Sequence, residues 1–275
     1  MHQHPVSTNR RQGQAGAVAG LLTTGLLLSA CAQEAATREV AVGAPVAAAT
    51  PTFSNPTTID NRYLPLTKFT TCVMRGRAED GARERSVKTV LKRRKAFTVE
   101  GQQVQTVVLR DNAYEDGELV ESTFDYFGQS DEGTVYYFGQ SDEGTVYYFG
   151  EQVKNLRNGQ VVNTNGTWLY GRDTDRLGVA MPNEPQLGQQ WNFEDVPGLT
   201  TESNRVEETD LRTKVGKRVR TDVIRIQEFI QPEGEVEYKL YASGIGTVAE
   251  YPPGGRTVFA GCRWAGVRTW VPCGS

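Results

Sequence analysis

The side chains of this sequence that could take part in acid–base chemistry are carboxylates, because imidazoles are nearly absent. The two histidines, His2 and His4, lie in the first four residues, and residues 5–275 contain none. Ser-His-Asp and Cys-His catalysis and histidine-ligated zinc are therefore excluded from the body of the chain. The remaining hypothesis is a glycosidase-like pair of acids about 5 to 9.5 Å apart. The candidates lie in turn-like segments: Glu115, Asp116, Asp173 and Asp175. Acids are common in turns for structural reasons, so we predict that the protein is not an enzyme.

Motifs for other kinds of chemistry are missing. The sequence has no glycine-rich phosphate loop, no Gly-x-Ser-x-Gly and no Cys-x-x-Cys, the motifs of nucleotide binding, serine hydrolysis and thiol redox chemistry. The net charge of -3 gives no basic field for nucleic acid. The longest basic run, residues 92–95 (KRRK), is interpreted as a solvated strand end, with attraction to anionic lipid head groups as the alternative. We predict neither a cofactor nor a metal.

Four cysteines are present, of which Cys31 belongs to the N-terminal segment discussed below. The other three, Cys72, Cys262 and Cys273, are an odd number, so one disulfide and one free thiol is the simplest outcome in an oxidising compartment. A clasp between Cys262 and Cys273 would close a loop of ten residues and is slightly favoured. A bond from Cys72 to either of them is the alternative.

The first thirty residues have the features of a bacterial lipoprotein signal peptide. Arg10 and Arg11 precede an apolar stretch at residues 15–28, which is shorter than the roughly 20 apolar residues of a membrane-spanning helix. Residues 28–31 (LSAC) resemble a lipobox, in which the cysteine is acylated and the chain is cut before it. A plain secretory peptide or an uncleaved anchor is the alternative. We expect residues 1–30 to be removed and Cys31 to carry lipid.

Lipid on Cys31 would attach the protein to a membrane, since each buried CH₂ contributes about 0.8 kcal/mol. Removal of residues 1–30 from the 275 leaves 245 residues, in which 28 basic residues face 33 acidic ones. Residues 31–52 are rich in alanine and contain no aromatic residue, which predicts a disordered tether before a domain at 53–275. Ala32 after Cys31 indicates the outer membrane in a diderm host. A monoderm host would hold the protein on the outer face of the cell membrane.

The body of the chain has the pattern of strands broken by turns. Apolar and polar residues alternate at 85–92 and 104–110, the period of a half-buried strand. The pairs at 116–117 (DG) and 158–159 (NG) suit type I′ hairpins, because both central residues need positive φ. Further strands are predicted at 166–172, 190–194, 222–231, 235–242 and 246–251. We predict an all-β domain, a single antiparallel sheet system curved into a half-barrel or barrel.

An exact tandem repeat occupies residues 126–147. The sequence YFGQSDEGTVY is found at 126–136 and again at 137–147, and a third copy begins at 148. The pattern predicts three strands, at 123–128, 134–139 and 145–150. One added strand would reverse the direction of the chain, so we expect an extruded hairpin or a bent strand to absorb it. Calcium binding in the QSDEG turns is a weaker hypothesis, because two acids per turn fall short of a calcium loop.

Large apolar side chains around the loop-like segment 171–190 are the best candidates for a ligand pocket. Aromatic and aliphatic groups typically line sites for small molecules, although aromatic residues at strand spacing more often form plain core. The predicted lining residues are Tyr126, Trp168, Tyr170, Met181 and Trp191.

Several motifs, taken in order, resemble those of a family of uncharacterised bacterial lipoproteins. They are NRYLPL at 61–66, RDNAYEDGELVE at 110–121, DY at 125–126, VYYFGE at 146–151, GTW at 166–168, MP at 181–182 and GIGTV at 244–248. The resemblance implies a secreted, mostly β, membrane-tethered domain and brings no activity or site residues with it. The family pattern has one Tyr-Phe-Gly unit where this chain has two, and the tail after Tyr251 is not part of it.

We therefore expect a lipid-anchored cell-envelope protein that binds a small apolar or amphipathic ligand or an envelope protein, and not nucleic acid. A structural or interaction lipoprotein without a ligand is the main alternative, and a carboxylate-dependent hydrolase is the third. A pocket would favour the ligand, an exposed apolar patch would favour a protein partner, and two buried carboxyls facing one cleft would favour the enzyme.

Overall fold

A computed structural model describes residues 51–131, 135–136, 139–140, 144–266 and 270–272 of the chain, with the backbone alone for the three short pieces. The predicted signal peptide, the lipidation site Cys31, the tether up to residue 50 and Cys273 lie outside the described residues. The first described residue is Pro51.

The described chain contains seventeen strands and one short 3-10 helix, Leu66–Lys68, and no α-helix. The strands are β1 (Phe69–Arg77), β2 (Arg83–Val99), β3 (Gln102–Glu115), β4 (Glu118–Gln129), β5 (Val135–Tyr136), β6 (Gly139–Gln140), β7 (Val146–Arg157), β8 (Gln160–Asn163), β9 (Trp168–Leu169), β10 (Gly178–Met181), β11 (Gln190–Val196), β12 (Thr200–Val215), β13 (Arg218–Gln231), β14 (Glu235–Ala242), β15 (Gly246–Tyr251), β16 (Arg256–Trp264) and β17 (Trp270–Pro272).

Fifteen of these strands form one antiparallel sheet, which confirms the predicted all-β architecture. Its order is β10-β7-β4-β3-β2-β1-β16-β15-β14-β13-β12-β11, with β8 and β9 paired to β7 and β17 paired to β16. The chain enters in the middle of the sheet at β1 and extends it on one side as far as β10. It then builds the other side from β11 back to β16, which pairs with β1.

The two edge strands of the sheet meet without a ladder. Within the described residues no hydrogen-bonded strand pair joins β10 to β11, so the sheet is curved but not closed into a barrel. An added Cβ on Gly178 in β10 would lie 2.0 Å from the carbonyl oxygen of Phe193 in β11. Beside this contact, Arg176 Nη1 donates to both carboxylate oxygens of Asp195, at 2.8 and 2.7 Å. The missing side chain of Gly178 therefore lets the two edges touch.

Both faces of the sheet carry hydrophobic clusters. In β3, Val107 and Leu109 belong to one cluster and Val104 and Val108 to another, because successive strand residues point to opposite faces. The cluster of Val107 also contains Ile226 from the other half of the sheet. We call its side of the sheet the inner face and the opposite side the outer face.

Strand β4, which contains the start of the first copy of the repeat, pairs with β7, which contains the end of the second copy and the start of the third. Gln129 at the end of β4 and Val146 at the start of β7 are ladder partners. Between them, β5 and β6 pair only with each other and form a hairpin off the main sheet. The predicted middle strand at 134–139 is thus wrong as a member of the main sheet, and the extruded hairpin is the solution that the fold uses.

A disulfide bond joins Cys72 in β1 to Cys262 in β16. The two residues are partners in the ladder, and the bond connects positions 190 residues apart in the sequence. The slightly favoured clasp of Cys262 with Cys273 is therefore wrong, and the alternative pairing is confirmed.

Candidate functional site

A cavity of about 160 Å³ lies on the inner face. Its wall is mostly apolar and comes from the segment before β1 and from strands of both halves of the sheet. The wall includes Leu66, Phe69, Val90, Leu109, Phe127 and Phe193. An apolar cavity of about this volume holds one benzene ring. The space therefore suits a small molecule with a single ring or a short chain.

Four charged side chains line one part of this cavity, and we call them the charged floor: Lys88, Glu228, Lys239 and Glu250. They come from β2, β13, β14 and β15. Lys88 Nζ donates to Glu250 Oε1 at 3.1 Å, and Lys239 Nζ lies 2.6 Å from Glu228 Oε2. Lys239 and Glu250 are also ladder partners. The register of β13, β14 and β15 therefore places Glu228, Lys239 and Glu250 side by side on the inner face, and Lys88 completes the second ion pair from β2.

The pKa values of the charged floor are set by burial and by the neighbouring charges. Burial opposes the charged form of Glu250, but the ammonium groups of Lys88 and Lys239 hold the pKa of its carboxyl below the ordinary value. Burial likewise opposes the charge on Lys88, but Glu250 and Asp111 raise the pKa of its ammonium group. Glu228 does the same for the pKa of Lys239. Both lysines and Glu250 are therefore charged at neutral pH.

More carboxyl groups continue along the inner face beyond the cavity. Burial, with Asp111 nearby, raises the pKa of Asp125 to about 7. Burial also raises the pKa of Glu151, with Glu194 and Asp125 adding to the effect, and the pKa of Glu202, with Glu228 adding to it. Two of these acids accept hydrogen bonds from buried donors: Tyr148 Oη to Asp125 at 2.8 Å and Trp168 Nε1 to Glu194 at 3.1 Å.

The five predicted pocket residues do not lie together, and the described lining of the cavity contains none of them. Trp168 and Met181 are fully buried in the inner cluster, and Trp191 packs against it with an indole N–H that has no hydrogen-bond partner among the described residues. Tyr126 and Tyr170 belong to the cluster on the outer face. These large apolar residues are close in the sequence, but they lie on opposite faces of the sheet because successive side chains of a strand point to opposite faces.

The acids that the sequence offered for catalysis also lie away from the cavity. Asp116 is exposed and accepts a hydrogen bond from Arg83 Nε at 3.2 Å. Asp173 accepts one from the neighbouring Arg172 Nε at 2.7 Å. Glu115 and Asp175 are not among the residues that line the cavity. Reasoning from the sequence missed the charged floor instead, because its members occupy strand positions that resemble a solvated polar face.

Comparison with known proteins identifies no relative. No protein family model, no curated protein and no solved structure matches the chain. Across the described ranges, no three His, Cys, Asp or Glu side chains are grouped so as to hold a metal ion. The same residues contain no helix that is long and apolar enough to span a membrane.

Proposed function

We propose that this protein is a lipid-anchored cell-envelope protein that binds a small amphipathic molecule in the inner-face cavity. The observation that carries the proposal is the division of the cavity into an apolar wall and the charged floor. Burial of an apolar ring or chain against residues such as Leu109 and Phe127 would supply the binding free energy. A polar group on the ligand would hydrogen-bond to the floor and fix its orientation.

The size of the cavity limits the ligand to about one ring. Ligand sites for drug-sized molecules typically measure about 300 to 1,000 Å³, whereas this cavity measures about 160 Å³. A phenol, a short alcohol or a small amine would fit, and each carries one group that can pair with Glu228 or Glu250. Phenol should bind more tightly than benzene, because only phenol can donate a hydrogen bond to the floor.

Titration calorimetry with phenol and with benzene tests this proposal. We expect saturable binding of both, with phenol the tighter ligand. Val90→Phe places a ring in the cavity and should abolish binding, whereas the same change at the exposed Val219, which does not line the cavity, should leave it intact. Absence of saturable binding, or equal binding by both variants, would refute the cavity as the site.

Attachment to the membrane is tested separately. Acylation requires the thiol of Cys31, so Cys31→Ser should release the protein from the membrane fraction of its host. The expected location is the outer membrane in a diderm host or the outer face of the cell membrane in a monoderm host. Continued retention of the variant would show that something other than lipid holds the protein there.

Two buried carboxyls, Glu228 and Glu250, do face one cavity, which is the observation that would favour a carboxylate hydrolase. Such an enzyme needs one carboxyl that keeps its proton near neutral pH. Each of these acids instead lies against a lysine, at 2.6 Å for Glu228 and 3.1 Å for Glu250. The described acids whose pKa is raised, among them Asp125, Glu151 and Glu202, do not line the cavity. Ligand binding is therefore better supported than hydrolysis.

Docking of an envelope protein has less support than ligand binding. Such a partner would favour a contiguous exposed apolar patch. The exposed large apolar side chains in the described chain are spread over four strands and one loop: Val161, Val162, Leu187, Val219, Phe229, Val236, Val258 and Trp264. Among them only Phe229 and Val236 are ladder partners, so the described side chains give this alternative little support.

A further inference from the structure

Charge is segregated between the two faces of strands β1, β2, β3, β4 and β7. Besides Arg77 and Arg83, which share this register at the end of β1 and the start of β2, the ladder registers and, for Arg93, the ring of Phe124 place six cations on the outer face: Arg75, Arg85, Arg93, Lys95, Arg110 and Lys154. Every Asp and Glu of these five described strands lies in the register of the inner face, either within a strand or at its end. Asp111 and Glu151 are two examples. We call these six cations the basic face. None of them forms an ion pair with a described acid, so their charge is not neutralised within the described fold.

Aromatic rings hold several of these cations in place. The guanidinium group of Arg85 lies 4.0 Å from the ring centre of Tyr114, and that of Arg93 lies 4.1 Å from the ring centre of Phe124. Lys95 Nζ lies 5.3 Å from the ring centre of Tyr126. Rings at these distances attract cations and restrict their motion. Arg94, the remaining arginine of the basic run, instead donates to the carbonyl of Leu91 at 2.7 Å.

The chain enters the fold beside the basic face. The first described residue is Pro51, and the ring of Phe53 packs at 5.7 Å on Tyr147 and at 5.9 Å on Phe149. These rings belong to the outer cluster, which also contains Tyr126. The twenty residues from Cys31 to Thr50 span at most roughly 70 Å when fully extended. A lipid on Cys31 would therefore keep this face within reach of the membrane surface.

We propose that the basic face docks on the anionic lipid head groups of the membrane that holds the protein. Basic residues near an anionic leaflet are attracted to it, and the tether raises the local concentration so that weak attraction is sufficient. The chain as a whole has 33 acidic and 30 basic residues, so its overall charge opposes such contact. Binding therefore requires that the basic face be turned toward the membrane. Docking in this way would orient the inner-face cavity relative to the bilayer.

Co-sedimentation with lipid vesicles tests the proposal, which rests on the proposed lipid anchoring only for the choice of membrane. Residues 51–275 form one compact unit, so the mature chain 31–275 with Cys31→Ser keeps the whole unit and lacks lipid. It should bind vesicles that contain phosphatidylglycerol and should not bind vesicles of phosphatidylcholine. Failure of anchoring in the host would leave this result unchanged, so the two proposals are distinguished.

Two triple variants with the same change in charge locate the binding surface. Arg85→Gln, Arg93→Gln and Lys95→Gln together should weaken binding about a hundredfold, since each charge contributes roughly fivefold. The exposed hairpin between β12 and β13 supplies the control: Lys214→Gln, Lys217→Gln and Arg218→Gln should weaken binding less than about threefold. Replacing Arg85 and Arg93 by lysine should preserve binding, and a thermal melt checks that each variant is folded.

Three results would overturn the proposal. Equal losses in the two triple variants would mean that net charge and not the basic face governs binding. Equal binding to phosphatidylcholine would mean that the contact is not electrostatic. Retention on a heparin column through Arg85, Arg93 and Lys95 without binding to vesicles would mean that the face takes an anionic polysaccharide and not a membrane.

Discussion

The disulfide between Cys72 and Cys262 should be one of the largest single contributions to the stability of this protein. It links two ladder partners in the central strands β1 and β16 and closes a loop of 190 positions. In the chain-entropy model, a loop of that length removes enough freedom from the unfolded chain to stabilise the folded state by about 5 kcal/mol at 25 °C. The variant Cys72→Ala with Cys262→Ala should lose about this amount.

Urea unfolding followed by tryptophan fluorescence measures the loss. For a chain of this size, about 5 kcal/mol corresponds to a drop in Tm of roughly 10 to 20 °C. Reduction of the native protein should bring it to the stability of the double variant, and Cys273→Ser should leave the stability unchanged. A loss below about 1 kcal/mol in the double variant would refute the reasoning. So would peptide mapping that found Cys262 bonded to Cys273.

Three further perturbations test the inner face and the sheet edges. Lys239→Met should lower the free energy of unfolding by about 3 to 5 kcal/mol, because buried Glu228 loses its cation, and adding Glu228→Leu should restore most of it in urea titrations. Gly178→Ala should cost at least about 2 kcal/mol in the same assay, because its Cβ would overlap a backbone carbonyl. Burial raises the pKa of the Asp125 carboxyl to about 7. The contribution of this carboxyl to the free energy of unfolding is therefore fully present below pH ~4 and is lost as the pH rises through 7. Asp125→Asn should therefore lose less stability than the native protein between pH 5 and pH 8; an unchanged pH profile would contradict this.

Much of the sheet could be predicted from the sequence because alternation and turn residues are local signals. The predicted strands at 235–242 and 246–251 match β14 and β15. The predicted type I′ turns are consistent with positive φ at Asp116 (47°) and Asn158 (52°) and at the glycines that follow. The strand predicted at 166–172 shortens to β9, Trp168–Leu169, because Gly166 and Gly171 have φ of 92° and 75° and interrupt the extended backbone.

The cavity could not be predicted because alternation does not say which face is buried. In β14, Glu237, Lys239 and Tyr241 share one face, and a strand that alternates charge with apolar residues is usually taken to expose its charges. Here the curved sheet turns that face inward, where Lys239 meets Glu228 of the neighbouring strand β13 and lies beside the pair of Glu250 with Lys88. The pairs that make this possible, such as Lys88 with Glu250, are 162 residues apart in the chain. No local pattern could reveal them.

The hairpin formed by β5 and β6 has a practical consequence. The chain has already accepted eleven duplicated residues between β4 and β7, and the ladder between these strands still pairs Gln129 with Val146. The connection is therefore a natural insertion point for a peptide tag or a fluorescent label. Such a label would report the orientation of the domain on a membrane from a position that evolution has already shown to be permissive.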